Sequence, residues 1–378
     1  MPYRCFFAFL FQGYLWRCCA LLCCGIAFGT VAQAQILIGQ TAGMTGVVAP
    51  RVKESIEGAR LLLDTVNAQG GIHGEKVQLV QLDDGFEPLR AADNARSLIE
   101  EHKVAALFLT HGTAHTQAVL EHVNRHNVPL IAPSTGALAL HQPVQRHVFN
   151  VRPLYRSEAE RLARYVTTIG MQRIAVVYTD DSFGRDALQG VQKEFTRAGI
   201  EPLLSAAVER TNTDYGPLMP KLLQAQAVIW LHSGEPTAQG IKALRQAGSQ
   251  ALMLTLSSNS STGFMQALGE AGQGVIVMQV FPDERSMATP LVREAMALAG
   301  GKKLTSTMLE GFAGAKVLVE ALRRAGPKPT RERLQAALEG LQNYELGGIG
   351  VISYSPQNHS GLSYTDLSII RQGQFMRR

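Results

Sequence analysis

Beyond residue 34 this 378-residue chain contains no cysteine; all five thiols (Cys5, Cys18, Cys19, Cys23 and Cys24) lie near its start. Disulfides, thiolate metal sites and cysteine nucleophiles are therefore excluded from the remainder. Long apolar runs are missing too. The stretch 18–29 is apolar but only twelve residues long, against the roughly 20 that span a bilayer, and no later stretch approaches that length. Neither sign of charge dominates. Setting aside Arg4 and Arg17 leaves 34 basic residues against 31 acidic ones, evenly spread, which speaks against nucleic acid or an anionic membrane surface as partner. The chain also lacks a nucleophile elbow, a Walker loop and a dinucleotide fingerprint after its first strand. The pairs Asp83/Asp84 and Asp180/Asp181 stand at strand ends, where aspartates commonly cap and turn, so no enzyme activity and no cofactor are expected.

What is present begins with residues 1–34. Two arginines, a short apolar centre and the small-x-small ending Ala32-Gln33-Ala34 form a secretory signal, expected to be cleaved after Ala34. Leu22 before Cys23 is a poor fit to a lipidation site, which needs a small residue there. An exported chain without disulfides suits a bacterial periplasm. About 344 residues remain, more than one core usually holds, so two domains are expected.

From Ile36 the chain alternates short apolar runs with amphipathic segments. Runs at 36–39, 77–82, 105–109 and 128–133 alternate with helical patterns at about 53–67, 88–101 and 117–126. Apolar runs without polar alternation indicate strands buried on both faces, hence a parallel sheet with helices on either side. After Arg152-Pro153 the alternation restarts, with strands at 174–178, 228–231, 252–256 and 274–281. Its first helix is expected at 157–169, capped by Ser157 with Glu160 three residues on. Two long helices follow at 307–324 and 330–341. The tail, 350–354 and 362–370, reads as β with a turn at 356–361.

Residues 108–137 look like the functional centre. HGTAHT opens a helix after one strand, and STGA follows the next. Two parallel strands joined by a helix put both loops at the carboxyl edge of the sheet. The free N–H groups at the helix start favour an anion. Thr113, Thr116, Ser134 and Thr135 add hydroxyls, while Gly112 and Gly136 allow close approach to the backbone; ordinary caps and turns would carry the same residue types. Together they suit a small carboxylate.

The stretches ILIGQTAGMTG (36–46), NAQGGIHGEKVQLVQLDD (67–84), the Gly112/Thr113 and Ser134/Thr135/Gly136 loops, RIAVVYTDDSFG (173–184) and LEGFAGAKVLVEAL (309–322) occur in an order and spacing that resemble a known family. This is the periplasmic solute-binding proteins of the leucine/isoleucine/valine-binding type, receptors of ABC importers. The resemblance covers everything after residue 34. It implies an α/β fold of two Rossmann-like, doubly wound lobes joined by three hinge crossings, near Arg152, Phe281 and 346–348. Lobe 1 would then be 35–152 plus 283–346, and lobe 2 would be 153–282 plus 347–378. It implies a monomer that closes on an amino acid or related small carboxylate and docks on ABC permease subunits. Thr113 and the pair Ser134/Gly136 match the positions that hold the ligand carboxylate, with Thr135 a substitute where Gly136 lacks a hydroxyl. Phe183 matches a covering aromatic, and Arg51 stands where another aromatic is often found.

The departure concerns the ligand's ammonium. Where amino-acid binders usually place an acid, after the strand at 252–256, this chain has Ser257, Ser258 and Asn259. A buried ammonium without a partner costs several kcal/mol. Either Asp181 or Glu235 serves, or the ligand is an aromatic or aliphatic carboxylate without an amine, which Arg51 would also favour. A receptor serving a membrane sensor would share all these features; a neighbouring permease or ATPase gene marks import, and a sensor kinase gene marks sensing. His111/His115 and His122/His126 have i,i+4 spacing, yet with Glu121 the only nearby acid they lack the closed shell of a structural metal site. No metal is expected. His111 and His115 are instead expected on the solvent side or lining the cleft mouth.

Overall fold

The computed structural model describes residues 35–377. The expected leader, with its cleavage point and all five cysteines, lies outside the described residues. The first sheet is formed by β1 (Gln35–Ala42), β2 (Lys76–Asp83), β3 (Ala106–Phe108), β4 (Leu130–Ile131) and β5 (Val148–Phe149), in the order β2-β1-β3-β4-β5. Every pairing is parallel. Successive side chains on a strand face opposite ways, and the sequence fills both faces. Phe108 and Ile131 join one buried cluster with helices α1 (Ala49–Ala68) and α9 (Ser306–Ala325), while Leu107 and Leu130 join another with α2 (Pro88–Glu100) and α3 (Thr113–Arg125). Helices α8 (Pro290–Leu298) and α10 (Arg331–Glu339) complete the first of these layers.

The second sheet repeats the plan. Its parallel part is β6 (Ile174–Thr179), β7 (Leu204–Val208), β8 (Ala227–Leu231), β9 (Leu252–Thr255) and β10 (Ile276–Gln279); β13 (Asp366–Arg371) and β14 (Gln374–Met376) add antiparallel strands beyond β10. Helices α4 (Tyr155–Thr168) and α5 (Ser182–Ala198) cover one face, and α6 (Glu235–Gln246) with α7 (Thr262–Leu268) covers the other. Two short strands, β11 (Tyr344–Glu345) and β12 (Val351–Ile352), pair only with each other. Among the described residues no helix is long and apolar enough to cross a membrane.

Two sequence expectations need correction. Helix α4 starts at Tyr155, two residues early, and Ser157 does not cap it; the N-cap is Leu154, without a side-chain bond. The first helical amide is met from outside the helix instead, the Tyr155 N–H donating to the Gly136 carbonyl (2.8 Å). The tail is not a hairpin. Residues Ile349, Ile352, Tyr354 and Leu362 pack into the first sheet's core, so the third crossing falls between Leu362 and Asp366 rather than at 346–348. It runs beside the first crossing, with Leu362 N–H donating to Val151 O (2.8 Å) and Tyr354 Oη–H to Asn150 O (2.6 Å).

The packing of α1 on α9 sets up the chemistry. A Cβ at Gly58 would overlap the Met308 carbonyl oxygen, and one at Gly311 would overlap that of Ser55. Only glycine allows the two backbones to come so close. Arg51, near the start of α1, thereby reaches Glu310, the residue before Gly311.

Candidate functional site

The carboxyl ends of β1 and β3 face those of β6, β8 and β9, the position where open α/β sheets bind ligands. Between them lies a cavity of about 390 Å³. From the first sheet's side it is lined by the loop 46–48 with Pro50 and Arg51, by Phe86, and by His111, Gly112 and Thr113. From the other side come Tyr155, Phe183, Arg210, Glu235, Ser258, Asn259 and Phe264. The four aromatic rings give a small molecule an apolar enclosure with a few polar groups, the usual make-up of a ligand site.

Behind the cavity lies a buried charge network. The Arg51 guanidinium donates through Nη2 to Glu310 and through Nη1 to Ser257 O (3.0 Å), Ser260 Oγ (3.1 Å) and Thr307 Oγ1 (3.2 Å). Arg152, in the first crossing, donates to Glu158 Oε1 and to Ser257 Oγ, both at 2.7 Å, and lies 3.7 Å from Glu310 Oε1. Ser134 Oγ donates to Glu310 Oε1 (2.7 Å), and Ser257 N–H to Glu158 Oε2 (2.9 Å). Burial pushes the Glu310 carboxyl up, but Arg51 and Arg152 more than offset it and hold the group below its usual range. Because Arg51 and Glu310 belong to one lobe, Glu158 and Ser257 to the other, and Arg152 to the crossing, the network ties the lobes together. Glu54 adds a second link, accepting from Thr262 N–H and Thr305 Oγ1, both at 2.8 Å.

Of the residues singled out in the sequence, Arg51, Gly112, Thr113, Phe183 and Ser258 line the cavity. Ser134, Thr135, Gly136 and Ser257 are not among its lining residues. Ser134 and Ser257 belong to the charge network, and Thr135 Oγ1 pairs with Thr113 Oγ1 (2.8 Å). A Cβ at Gly136 would overlap the Pro153 carbonyl oxygen, so a hydroxyl-bearing residue has no room there. Asp181 is occupied elsewhere. It caps α5 by accepting from the N–H groups of Phe183 and Gly184 (2.9 Å each), and it pairs with Arg210. Glu235 lines the cavity but is exposed.

The histidines are not solvent-side. His111 lines the cavity with 7 % of its surface exposed, and its Nδ1 has no hydrogen-bond partner. Burial, then the charges of Arg51, His115, Arg152 and Arg210, lower its pKa well below the ordinary value, so the ring is neutral. His115 is buried and stacks on Phe86 at 4.1 Å; burial lowers its pKa to about 4. His126 meets Glu100 at 3.0 Å. Sequence reasoning missed Phe86, Tyr155, Arg210 and Phe264. Arg210 stacks over the Phe86 ring at 4.9 Å, across the cleft. Only Phe86 carried a signal, standing beside Asp83-Asp84 at a strand end; the others lie outside the strand-end loops to which attention was given.

The family model described as periplasmic binding protein matches residues 35–370. A Leu/Ile/Val-binding protein homolog of Brucella melitensis is 25% identical over 336 residues, covering 87% of this chain and 90% of the relative. A substrate-binding periplasmic protein from Ralstonia solanacearum superposes with a TM-score of 0.84 at 30% identity, covering 91% of this chain and all of that one (100%). A branched-chain amino acid ABC transporter protein from Thermus thermophilus, solved with bound valine, has a TM-score of 0.81 at 17% identity, covering 92% of this chain and 96% of its own; at that identity the likeness is one of fold.

Proposed function

The chain belongs to the periplasmic binding protein family, and from that premise we propose that it is an exported receptor for an ABC importer, capturing an amino acid or related small carboxylate by hinge closure. The observation that carries this reading is the cavity of about 390 Å³ lined from both lobes. A ligand touching both walls binds the closed form better than the open one, and only such differential contact shifts the equilibrium toward closure. The importer would then recognise the closed face. Arg51, Gly112, Thr113, Phe183 and Ser258 are the expected contacts, with Ser134, Thr135, Gly136 and Ser257 holding them from behind. Relatives named for leucine, isoleucine and valine support a ligand of this size.

The test is a thermal-shift screen of the chain from Gln35 onward, unfolded and refolded to strip bound ligand. Amino acids are paired with their deaminated carboxylates, such as leucine with 4-methylpentanoate and phenylalanine with phenylpropanoate. Ligand at 100 times its Kd stabilises by about 2.7 kcal/mol, a clear shift in melting temperature. No shift with any member of the panel would remove the reading.

A further inference from the structure

We infer that Arg51 supplies from within the chain the cation at the floor of the cleft, and that it makes the cavity selective for carboxylates that carry no amine. This rests on the capture reading above and narrows its ligand class. The first ground is which charges face the cavity. Arg51 and Arg210 line it, whereas their partners Glu310 and Asp181 do not. Each pair therefore turns its positive end toward the ligand space. Glu235, the one carboxylate among the lining residues, is exposed and accepts from Gln239 Nε2 (2.8 Å).

The second ground is that the acceptors an ammonium needs are taken. The Ser257 carbonyl and the Glu310 carboxylate both receive Arg51, which is 5 % exposed and held from three sides. Asp181 has one oxygen on the amides of α5 and the other on Arg210. An amine entering the cavity would lose its water without gaining a buried anion, the exposed Glu235 being the one lining carboxylate. Groups that suit an anion, by contrast, are at hand: α3 begins at Thr113 with first-turn N–H groups, and the Ser258 hydroxyl, buried and without a partner, can donate to a carboxylate.

His111 reports the field independently of any ligand. The groups acting on it are Arg51 from α1, Arg152 from the crossing, Arg210 from the opposite wall and His115 from α3. All four oppose its protonation, and the three arginines, charged at neutral pH, repel an ammonium there too.

Two measurements test this. The first follows His111 by NMR in histidine-labelled protein, with its resonance assigned by loss in His111→Asn. Arg51→Gln raises the His111 pKa by about one unit, the usual size of a nearby charge effect, and Arg51→Lys leaves it near the wild-type value. A His111 titration unmoved by Arg51→Gln overturns the inference. The second needs no variant. In the paired panel the wild-type chain binds the carboxylate at least about tenfold more tightly than its amino acid, the least that an unpaired buried ammonium implies. An amino acid bound as tightly as its deaminated partner overturns the inference and leaves capture intact. No shift with any pair, beside a His111 that responds to Arg51→Gln, removes the capture reading and supports the field assignment.

Discussion

Two networks in this molecule are built from the same residue types and differ in where they sit. At the floor of the cleft, Arg51, Glu310, Arg152 and Glu158 have side chains 6, 5, 2 and 0 % exposed. On the outer face of the second lobe, Glu160 bridges Arg164 and Lys193, and Arg164 continues through Glu194 to Arg197. The outer cations are all more than half exposed. Out there water reaches the cations and Glu160, and only Glu194 is buried; at the floor water reaches almost nothing. Charge content is thus a poor guide to what holds the lobes, and burial decides. Arg152→Ala gives the largest effect. It leaves Glu158 and strands part of the charge on Glu310, and breaking a buried pair costs about 3–5 kcal/mol. Urea unfolding at pH 7 measures it, and a loss below about 1 kcal/mol would put the floor on a par with the outer face.

A buried carboxylate without a cation on it sharpens the contrast. Asp84 is fully buried and accepts from Phe86 N–H (2.9 Å) and Thr41 Oγ1 (3.0 Å). Burial raises its pKa to about 6, the opposite of what two arginines do to Glu310. The folded state therefore holds a proton that the unfolded state releases near pH 4. Its contribution is fully present below that pH and is lost as pH rises to about 6. Asp84→Asn keeps the shape and removes the charge, so the variant is about 1–2 kcal/mol more stable at pH 7 and its advantage disappears near pH 4. Melting curves of both proteins across that window read the difference. An advantage that does not depend on pH would mean packing, not ionisation.

Much of the fold was legible because parallel strands buried on both faces read as unbroken apolar runs, as at 128–133 and 228–231. The elements misread were those governed by distant partners. Ser157 looked like a cap, but the helix starts two residues earlier, where the Tyr155 N–H meets the Gly136 carbonyl, so Ser157 lies within it. The tail read as β with a turn, and so it is, but Tyr354 is drawn back to the first core by Phe149 and Asn150, so its two strands pair with other partners and not with each other. In the site, the loops after β3 and β4 were found from their glycines and hydroxyls. Which residue lines the cavity was not, since that depends on Glu310, 176 residues further on, reaching Ser134 from behind. Arg51 was noticed for its position, yet its partners come from two distant parts of the chain, 257–260 and 307–310.

Thr113 separates a ligand contact from a support. It lines the cavity, is 2 % exposed, and pairs its hydroxyl with that of Thr135 at 2.8 Å. Gly112, not Thr113, is the N-cap of α3. Thr113→Ala leaves the Thr135 hydroxyl unpartnered, so the ligand-free protein loses about 1 kcal/mol. Calorimetry with the best ligand from the panel would show weaker binding as well. Lost stability with unchanged affinity would make Thr113 a support only, and would move the carboxylate contact to the backbone of Gly112.

The smallest effect belongs to the outer network, and its size matters because it sets the reference for the rest. Lys193 Nζ lies 2.8 Å from Glu160 Oε2 with its side chain 72 % exposed. Removing it leaves Glu160 with Arg164 and with water. Lys193→Ala should therefore change stability by no more than about 0.5 kcal/mol, and 1 M salt, which shortens the screening length to about 3 Å, should erase even that. The same salt should leave the Arg152→Ala loss nearly intact, because no ions enter the floor to screen it. If salt instead reduced both losses alike, the lobes would be opening to solvent often enough to wet the floor network, and its hold on the closed form would be weaker than its burial implies.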